Sequence, residues 1–291
     1  MERGRVSFGP RPDAAAAAWP VGDAAPTIAA TEPGHLGAAL VTGASTGIGE
    51  AFARELDRRG HPVILVARDR RRLEALASEL TGPTEVLPAD LTDADERAVV
   101  ERRLADAGRP VDLLINNAAA GTYAYVTEAE ADALAAAIDL NVHAVVRLTR
   151  AALPGMLRRR RGGILNVSAI VSTKTSRGMA TYAATKAFVD SWTRSLRVEL
   201  DGTPITVSCV RPSWTRSEFH DRAGQAVSDI PDDQWHRPDA VARKALDAHA
   251  TGRLFCVPRL RPAIEARVLA QRIGRRGLRE VVRLASPTRP S

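Results

Sequence analysis

A tyrosine and a lysine, Tyr182 and Lys186, stand four residues apart in the segment Tyr-Ala-Ala-Thr-Lys. Side chains at this spacing lie on one face of a helix, one turn apart. A phenol has an ordinary pKa of about 10, which is too high for efficient proton exchange near neutral pH. A neighbouring ammonium stabilises the phenolate and lowers that pKa by roughly 1–3 pH units. The pair therefore predicts a proton donor, Tyr182, tuned by Lys186, as the reduction of a ketone or aldehyde requires.

The position of this pair in the chain makes it specific. A tyrosine and a lysine four residues apart are common by chance and usually form a surface pair. Here the pair opens a helical pattern about 140 residues after a glycine-rich turn, and Lys186 is one of only three lysines in 291 residues. These two facts favour a catalytic pair.

The glycine-rich turn follows the first strand-like run and opens a helical pattern. Glycine in such a turn permits close approach of a pyrophosphate to the backbone, and the following helix directs its free N–H groups at that anion. The position between a strand and a helix makes the turn a strong signal for a dinucleotide site. The predicted nucleotide-binding turn consists of Gly43, Ser45, Thr46, Gly47, Ile48 and Gly49.

The second strand-like run ends in Val66-Ala67-Arg68, where a site of this kind contacts the adenosine ribose. An acidic residue at that point hydrogen-bonds the ribose hydroxyls, whereas arginine suits a 2′-phosphate. Arg68 therefore predicts NADP in preference to NAD. The alternative is that Arg68 is only one more surface arginine and does not bind the cofactor. The chain has many arginines, and Asp69 follows Arg68 directly.

From the glycine turn to about Pro258, these motifs resemble those of the short-chain dehydrogenase/reductase family. The family contains NAD(P)-dependent enzymes that act mainly on alcohols and carbonyls, usually as dimers or tetramers. The resemblance implies that Asp90 and Leu91 meet the adenine, and that Asn141 anchors a water leading protons to the lysine. It extends the cofactor site to Asn117, Ala118, Ala119, Tyr182, Lys186, Pro212 and Ser217.

One position departs from the family pattern. The serine that orients the substrate usually stands thirteen residues before the tyrosine, and this position is Ala169. Adjacent Ser168 is the predicted catalytic replacement, although neighbouring strand side chains point to opposite faces and a register change or bulge is needed. Ser172 in the following loop is a second source of a hydroxyl. Because a lost carbonyl-oxygen donor typically costs ~10²–10³ in rate, the alternative hypothesis is a non-redox or nucleotide-sensing protein.

Residues 214–235 are predicted to form a lid over the substrate. Phe219, His220 and Trp235 are available there to shape an apolar pocket. His220 is interpreted as a surface residue of the lid, because the Tyr–Lys pair already supplies the proton.

The elements that position these residues follow from hydrophobic periodicity. Apolar runs without polar alternation predict strands covered on both faces, and helical patterns such as Phe188, Trp192, Leu196 lie between them. This alternation predicts an α/β fold, a single Rossmann-type domain with a doubly wound parallel seven-stranded sheet. The predicted strands are residues 36–42, 63–66, 85–88, 111–116, 164–167, 205–210 and 254–257.

The two ends of the chain differ from its centre. Residues 1–33 are rich in Ala and Pro without period, which predicts a disordered leader, and residues 34–262 form the predicted nucleotide-binding domain. Residues 263–291 are arginine-rich with helical spacing, which predicts a basic helix and tail packed on the domain. Binding of this tail to an anionic membrane surface is the alternative.

Composition excludes several classes of protein. The formal net charge is +7, but aromatic residues make up only 4% of the chain. Basic and aromatic residues do not alternate as they do on a nucleic-acid-binding surface. The sequence contains no run of 18 apolar residues, so it predicts no membrane span. Cys209 and Cys256 lack metal-ligand spacing, so we expect no metal and two buried free thiols in a reducing cytoplasm. The sequence thus predicts a cytoplasmic NADP-dependent oxidoreductase acting on a small, moderately hydrophobic carbonyl or alcohol, and the family resemblance implies a homodimer or homotetramer.

Overall fold

A seven-stranded parallel sheet organises the part of the chain that the computed structural model describes, residues 37–174 and 176–258. The predicted leader over 1–33 and the basic segment over 263–291 lie outside the described residues. The strand order is β3-β2-β1-β4-β5-β6-β7, so the chain winds outward from β1, crosses back beside it, and winds outward again. The predicted α/β fold, a doubly wound parallel sheet of Rossmann type, is confirmed.

Every predicted strand lies within two residues of its predicted bounds. The strands are β1 (Ala38–Thr42), β2 (Val63–Ala67), β3 (Thr84–Pro88), β4 (Val111–Asn116), β5 (Gly162–Val167), β6 (Ile205–Val210) and β7 (Phe255–Cys256). The helices are α1 (Gly47–Arg58), α2 (Arg70–Glu79), α3 (Ala94–Ala105), α4 (Ala131–Ile138), α5 (Ala144–Arg159), α6 (Ala180–Glu199), α7 (Phe219–Arg222) and α8 (Pro238–Ala250).

Helices cover both faces of the sheet, which explains why the strands are apolar without alternation. Val41 and Leu65 pack into one layer with residues of α1, α2 and α8. Leu40 and Ile64, their chain neighbours, pack into the opposite layer with residues of α3, α5 and α6. Because successive strand side chains point to opposite faces, a strand buried on both must be apolar at every position.

Helix α6 contains the predicted helical pattern of Phe188, Trp192 and Leu196. Leu196 is buried, whereas Phe188 is 38% exposed and stacks on Trp192, with ring centroids 6.1 Å apart. The face that α6 buries is largely polar, because it packs beside the ends of β5 and β6. Its buried residues are Tyr182, Thr185, Lys186, Val189, Asp190, Thr193 and Leu196.

Helices α4 and α5 are joined by a π-helical segment, Asp139–His143. One extra residue per turn shifts the helix register, and such bulges are frequent at functional sites. Asn141 lies at this bulge and is fully buried. The register shift therefore turns a polar side chain inward from a helix whose first half is mostly exposed.

Both cysteines are buried free thiols, as predicted. Over residues 37–174 and 176–258, no helix combines the length and the apolar character needed to cross a membrane. Among the same residues, no three His, Cys, Asp or Glu side chains are grouped as metal ligands.

His249 is a buried titratable group that contacts strand β6 of the sheet. It lies in α8 with 5% exposure, and its Nδ1 is 2.6 Å from Oγ of Ser208 on β6. Burial, followed by the positive charge of Arg197, lowers the pKa of His249 to about 4. The imidazole is therefore neutral in the folded protein at neutral pH.

We predict that His249 contributes to acid unfolding. An unfolded histidine has a pKa of about 6.5, so the folded pKa is depressed and the contribution is present above pH 6.5 and lost as the pH falls towards 4. Between pH 7 and pH 5 the loss is about 2 kcal/mol of unfolding free energy. In urea titrations at both pH values, His249→Gln should lose about 2 kcal/mol less than the native protein. The exposed His143→Gln is the control, and an equal loss in all three proteins would contradict the assignment.

Candidate active site

One cavity of about 1370 Å³ opens at the carboxyl ends of the central strands. Ligands of doubly wound sheets bind in this crevice, where the strand order reverses between β1 and β4. Of the predicted catalytic and cofactor-binding residues, only Gly49 and Asn141 do not line it, and Trp235, expected to shape the substrate pocket, does not line it either. The cavity is lined by Gly43, Ser45, Thr46, Gly47, Ile48, Arg68, Asp90, Leu91, Asn117, Ala118, Ala119, Ser168, Tyr182, Lys186, Pro212 and Ser217.

The glycine turn between β1 and α1 forms the floor of one half of the cavity. Gly43 and Gly47 have φ values of 66° and 59°, a left-handed conformation that disfavours other residues. A Cβ on Gly43 would lie 2.9 Å from Cα of Ala118, and a Cβ on Gly47 would lie 2.8 Å from Cβ of Ser217. Gly49 does not line the cavity, and a Cβ there would overlap the carbonyl of Gly43. The glycines thus bring backbone against backbone and leave an open cradle.

The first turn of α1 is free to bind an anion. Its N-cap, Thr46, has an extended conformation, and its side chain caps no N–H group. The unpaired N–H groups and the helix dipole at such a terminus favour phosphate. The turn therefore has the donors that a pyrophosphate requires.

Thr42, which sequence reasoning missed, fastens this turn to the end of β4. Its Oγ1 donates to the carbonyl of Ile115 (3.2 Å) and accepts from the backbone N–H groups of Asn117 (2.9 Å) and Ala118 (3.0 Å). Asn117 returns a bond from Nδ2 to the carbonyl of Thr42 (2.9 Å). The sequence feature that could have identified Thr42 is a single hydroxyl side chain at the last position of an otherwise apolar strand.

Arg68 lines the cavity with 74% of its side chain exposed. Its guanidinium is 3.7 Å from Oδ2 of Asp90, which is predicted to meet the adenine. Burial opposes ionisation of Asp90, but hydrogen bonds from Thr92 and the charge of Arg68 outweigh it and lower the pKa of Asp90. Asp69 lines the same cavity, and its carboxylate also caps α2 by accepting from the Arg72 N–H group.

The predicted Tyr–Lys pair is buried at the start of α6, with Tyr182 8% and Lys186 3% exposed. Nζ of Lys186 donates to the carbonyl of Val167 (2.9 Å) and lies 5.8 Å from the centre of the tyrosine ring. Burial lowers the pKa of Lys186 to about 8, opposed by Cys209 and Asp190. Burial raises the pKa of Tyr182 above its usual value. The expectation of a lowered tyrosine pKa is thus wrong for this structure, because the desolvation of the phenol dominates.

Asn141 connects three elements behind the cavity. Its Oδ1 accepts from the Ala120 N–H group (2.9 Å), and its Nδ2 donates to the Ala120 carbonyl (2.8 Å) and to Oγ1 of Thr185 (3.0 Å). These bonds hold the loop after β4 against the helix that carries the Tyr–Lys pair. The water-anchoring role implied by the family resemblance stays a prediction.

The hydroxyl groups near Ala169 are committed to the protein interior. Ala169 lines the cavity, whereas Ser168 is 2% exposed and donates its proton to the carbonyl of Lys186 (3.0 Å). Ser172 donates to the carboxylate of Asp190. The geometry does not support the expected catalytic role of Ser168, nor Ser172 as a second source of a hydroxyl. Each of these hydroxyls already donates its proton to another group of the protein.

The predicted lid lines the cavity, and its residue Ser217 meets the glycine turn at Gly47. Phe219 of α7 packs on the ring of Tyr182, with centroids 5.3 Å apart. It sits against Gly121, where a Cβ would lie only 2.7 Å from the Phe219 ring, so glycine at 121 is what admits the lid. His220 lines the cavity, packs between Trp214 and Trp235, and places Nδ1 2.9 Å from Oε1 of Gln225.

Comparison with known proteins places this geometry in context. The family model described as short chain dehydrogenase matches residues 37–227. A short-chain dehydrogenase from Sphingobium yanoikuyae, solved in complex with NADPH, is 34% identical and superposes with a TM-score of 0.76 over 88% of this chain and 98% of that chain. The bulky-bulky ketone specific alcohol dehydrogenase from Comamonas testosteroni is 30% identical, with a TM-score of 0.72 over 88% and 97%.

A curated relative shows the same similarity at the level of sequence. The very-long-chain 3-oxoacyl-CoA reductase of Anas platyrhynchos is 32% identical over 240 residues, which cover 79% of this chain and 75% of the relative. The family match covers well over half of the chain and includes the glycine turn and the Tyr–Lys pair. The chain belongs to the short-chain dehydrogenase family.

Proposed function

We propose that this protein is an NADP-dependent oxidoreductase that reduces a ketone or aldehyde on a small, moderately hydrophobic molecule, or oxidises the corresponding alcohol. One observation carries the proposal: Tyr182 and Lys186 line the same cavity as the glycine turn. Over the described residues, the Tyr182 hydroxyl has no protein hydrogen-bond partner, which leaves its proton free for a substrate.

The cavity fits a dinucleotide. The two left-handed glycines let the turn pack closely against Ala118 and Ser217, where a Cβ would collide, and the open first turn of α1 supplies N–H donors for a pyrophosphate. Arg68 and Asp90 line the same cavity, and we assign Arg68 to the 2′-phosphate of NADP. The Sphingobium relative was solved with NADPH, which supports the same cofactor here.

The chemistry of carbonyl reduction assigns roles to the chain's own residues. When bound, NADPH supplies a hydride for the carbonyl carbon. Tyr182 donates its proton to the carbonyl oxygen, so that the π bond is replaced by one C–H and one O–H bond. The raised pKa of the phenol keeps this proton in place at neutral pH. Lys186 is charged below about pH 8 and stabilises the phenolate that remains. We assign to Asn141 the water that returns a proton towards Lys186.

The substrate half of the cavity includes a group of apolar side chains. Ala169, Ile170, Val171, Trp214 and Phe219 line it, which suits a hydrophobic carbonyl compound. The Comamonas relative is specific for bulky-bulky ketones, and the Anas relative reduces very-long-chain 3-oxoacyl-CoA. Both relatives support a carbonyl flanked by sizeable groups.

We further propose a homodimer or homotetramer in the cytoplasm. Tyr125, Val126 and Ile138, around α4, are 53%, 59% and 47% exposed. Large apolar side chains exposed close together favour a subunit interface. Two free buried thiols are in keeping with a reducing compartment.

A non-redox or sensing role is the second candidate, and Ala169 is the observation that favours it. The site keeps its proton donor but presents a methyl group where a hydroxyl would contact the substrate oxygen. A nucleotide-binding protein that catalyses no reaction at a carbonyl needs no such donor.

The cofactor assignment predicts that NADPH binds more tightly than NADH. Arg68→Ala should weaken NADPH binding by about 1.5–3 kcal/mol, the contribution of a charge-assisted contact, and should leave NADH binding nearly unchanged. Fluorescence titration measures both affinities, with the exposed Arg102→Ala on α3 as a control. Equal affinities of the native protein for the two nucleotides would refute the assignment.

The catalytic assignment predicts different effects at the two residues of the pair. Tyr182→Phe should lower kcat about 10²–10⁴-fold, the usual contribution of a general acid, with NADPH affinity within about twofold of native. Lys186→Ala should lower both, because its ammonium contacts ribose as well as stabilising the phenolate. Steady-state kinetics and nucleotide titration test this, with the exposed Tyr125→Phe as a control. Near-native turnover of Tyr182→Phe would favour the non-redox candidate.

The missing hydroxyl predicts a gain of function. Ala169→Ser places a donor on the cavity wall and should raise kcat/KM for an accepted carbonyl about tenfold, towards a ceiling of about 3 kcal/mol. The matched control is Ala226→Ser, which adds a hydroxyl to the same cavity in the lid. If neither the native protein nor Ala169→Ser turns over ketones with NADPH, the oxidoreductase proposal fails and the sensing candidate takes its place.

A further inference from the structure

A buried ion pair lies directly behind the substrate side of the cavity. Asp190 on α6 and Arg211 after β6 have side chains 4% and 6% exposed, with Nε of Arg211 3.0 Å from Oδ2 of Asp190. This Nε is not aligned for a hydrogen bond, so the contact is chiefly electrostatic. The guanidinium also stacks on Phe255, its central carbon 3.8 Å from the ring centroid. Burying two charges is costly, and a neutral core at this position would serve packing equally well.

The Asp190 carboxylate joins three separate elements. Oδ2 accepts from the hydroxyl of Ser172, in the loop whose neighbouring residues wall the cavity. Oδ1 accepts from the thiol of Cys209 on β6 (3.5 Å). Asp190 itself belongs to α6, so one side chain connects the wall of the substrate pocket, the strand before Pro212 and the helix of the Tyr–Lys pair.

Asp190 is also placed to act on Lys186. The two residues are four apart on α6, and both side chains are buried on the same face. The titratable groups that face Lys186 are Tyr182 and Asp190 from α6 and Cys209 from β6, with Arg211 beyond Asp190. Burial, reinforced by Asp190, raises the pKa of the Cys209 thiol, so Cys209 stays neutral. Asp190 is therefore the group that supplies negative charge to the lysine.

We propose that Asp190 is a positioning residue for the reaction: its carboxylate holds the Ser172 loop against the catalytic helix and keeps the buried Lys186 charged. The proposal rests on the function proposed above in giving Lys186 a role in catalysis. Its effect is exerted through Lys186 and the loop, since Asp190 does not line the cavity. Arg211 anchors the carboxylate by fixing the oxygen that also binds Ser172.

The scarcity of lysine makes a direct measurement possible. Lys174, Lys186 and Lys244 are the only lysines of the chain, so ¹⁵N-lysine labelling gives three side-chain NMR signals. In the full chain, without cofactor or substrate, Asp190→Asn should lower the pH at which Lys186 titrates by about one unit. The Lys174 and Lys244 signals should be unchanged, and the exposed Asp201→Asn should leave all three as in the native protein. Asp190→Glu should restore most of the Lys186 shift.

A second variant tests the positioning of the Ser172 loop independently of the charge of Asp190, and it is expected to fold. Ser172→Ala removes the bond to Asp190 but leaves the ion pair intact. It should raise KM for the carbonyl about fivefold, with kcat within twofold and the Lys186 titration unchanged. Asp190→Asn should, in addition, move the alkaline limb of the kcat profile to lower pH.

The outcomes distinguish this proposal from the function itself. A Lys186 titration that is the same in native protein and folded Asp190→Asn overturns the electrostatic role, and an unchanged KM in Ser172→Ala overturns the positioning of the loop. If Asp190→Asn does not fold by circular dichroism, the neutral variant Asp190→Ser takes its place in the Lys186 titration, and Ser172→Ala still tests the loop. A shifted Lys186 signal in a protein that reduces no carbonyl supports the role of Asp190 while refuting the oxidoreductase.

Discussion

Desolvation of a lysine is the constraint on which the rest of the site depends. Lys186 is 3% exposed, and a buried ammonium loses its hydration unless the protein replaces it. The carbonyl of Val167, at the last residue of β5, accepts from Nζ, and the carboxylate of Asp190 lies one turn away. Both partners are available only because α6 packs beside the carboxyl ends of β5 and β6. The same packing buries most of Tyr182 and leaves its hydroxyl facing the cavity.

The polar face of α6 explains several neighbouring features. Ser168 uses its hydroxyl on the carbonyl of Lys186, and Ser172 uses its hydroxyl on Asp190. Buried polar groups are costly when unpaired, so a helix that buries this many draws its partners from the surrounding loops. The hydroxyls closest in sequence to Ala169 are thereby committed to the catalytic helix. A donor for the substrate oxygen, besides Tyr182, has to come from another part of the cavity wall.

The opposite wall of the cavity depends on close backbone approach. Gly43 and Gly47 allow the turn after β1 to meet the end of β4 and the lid without side chains between them. Thr42 and Asn117 then exchange hydrogen bonds across the same junction. A rigid cradle results, and its open face is the N-terminus of α1. Cofactor cradle and proton donor therefore meet at one sheet edge because both follow the carboxyl ends of parallel strands.

The amino-acid sequence by itself determined the fold and the location of the cavity. Hydrophobic runs of strand length, the glycine spacing and the Tyr–Lys spacing are local features, so they predicted all seven strands and placed sixteen of the eighteen predicted catalytic and cofactor-binding residues on one cavity. Only the tertiary structure decided the state of the groups in that cavity. The raised pKa of Tyr182, the engagement of Ser168 and the ion pair of Asp190 with Arg211 all depend on burial and on partners distant in sequence. Desolvation and long-range pairing arise when elements pack together, and no local pattern of residues contains them.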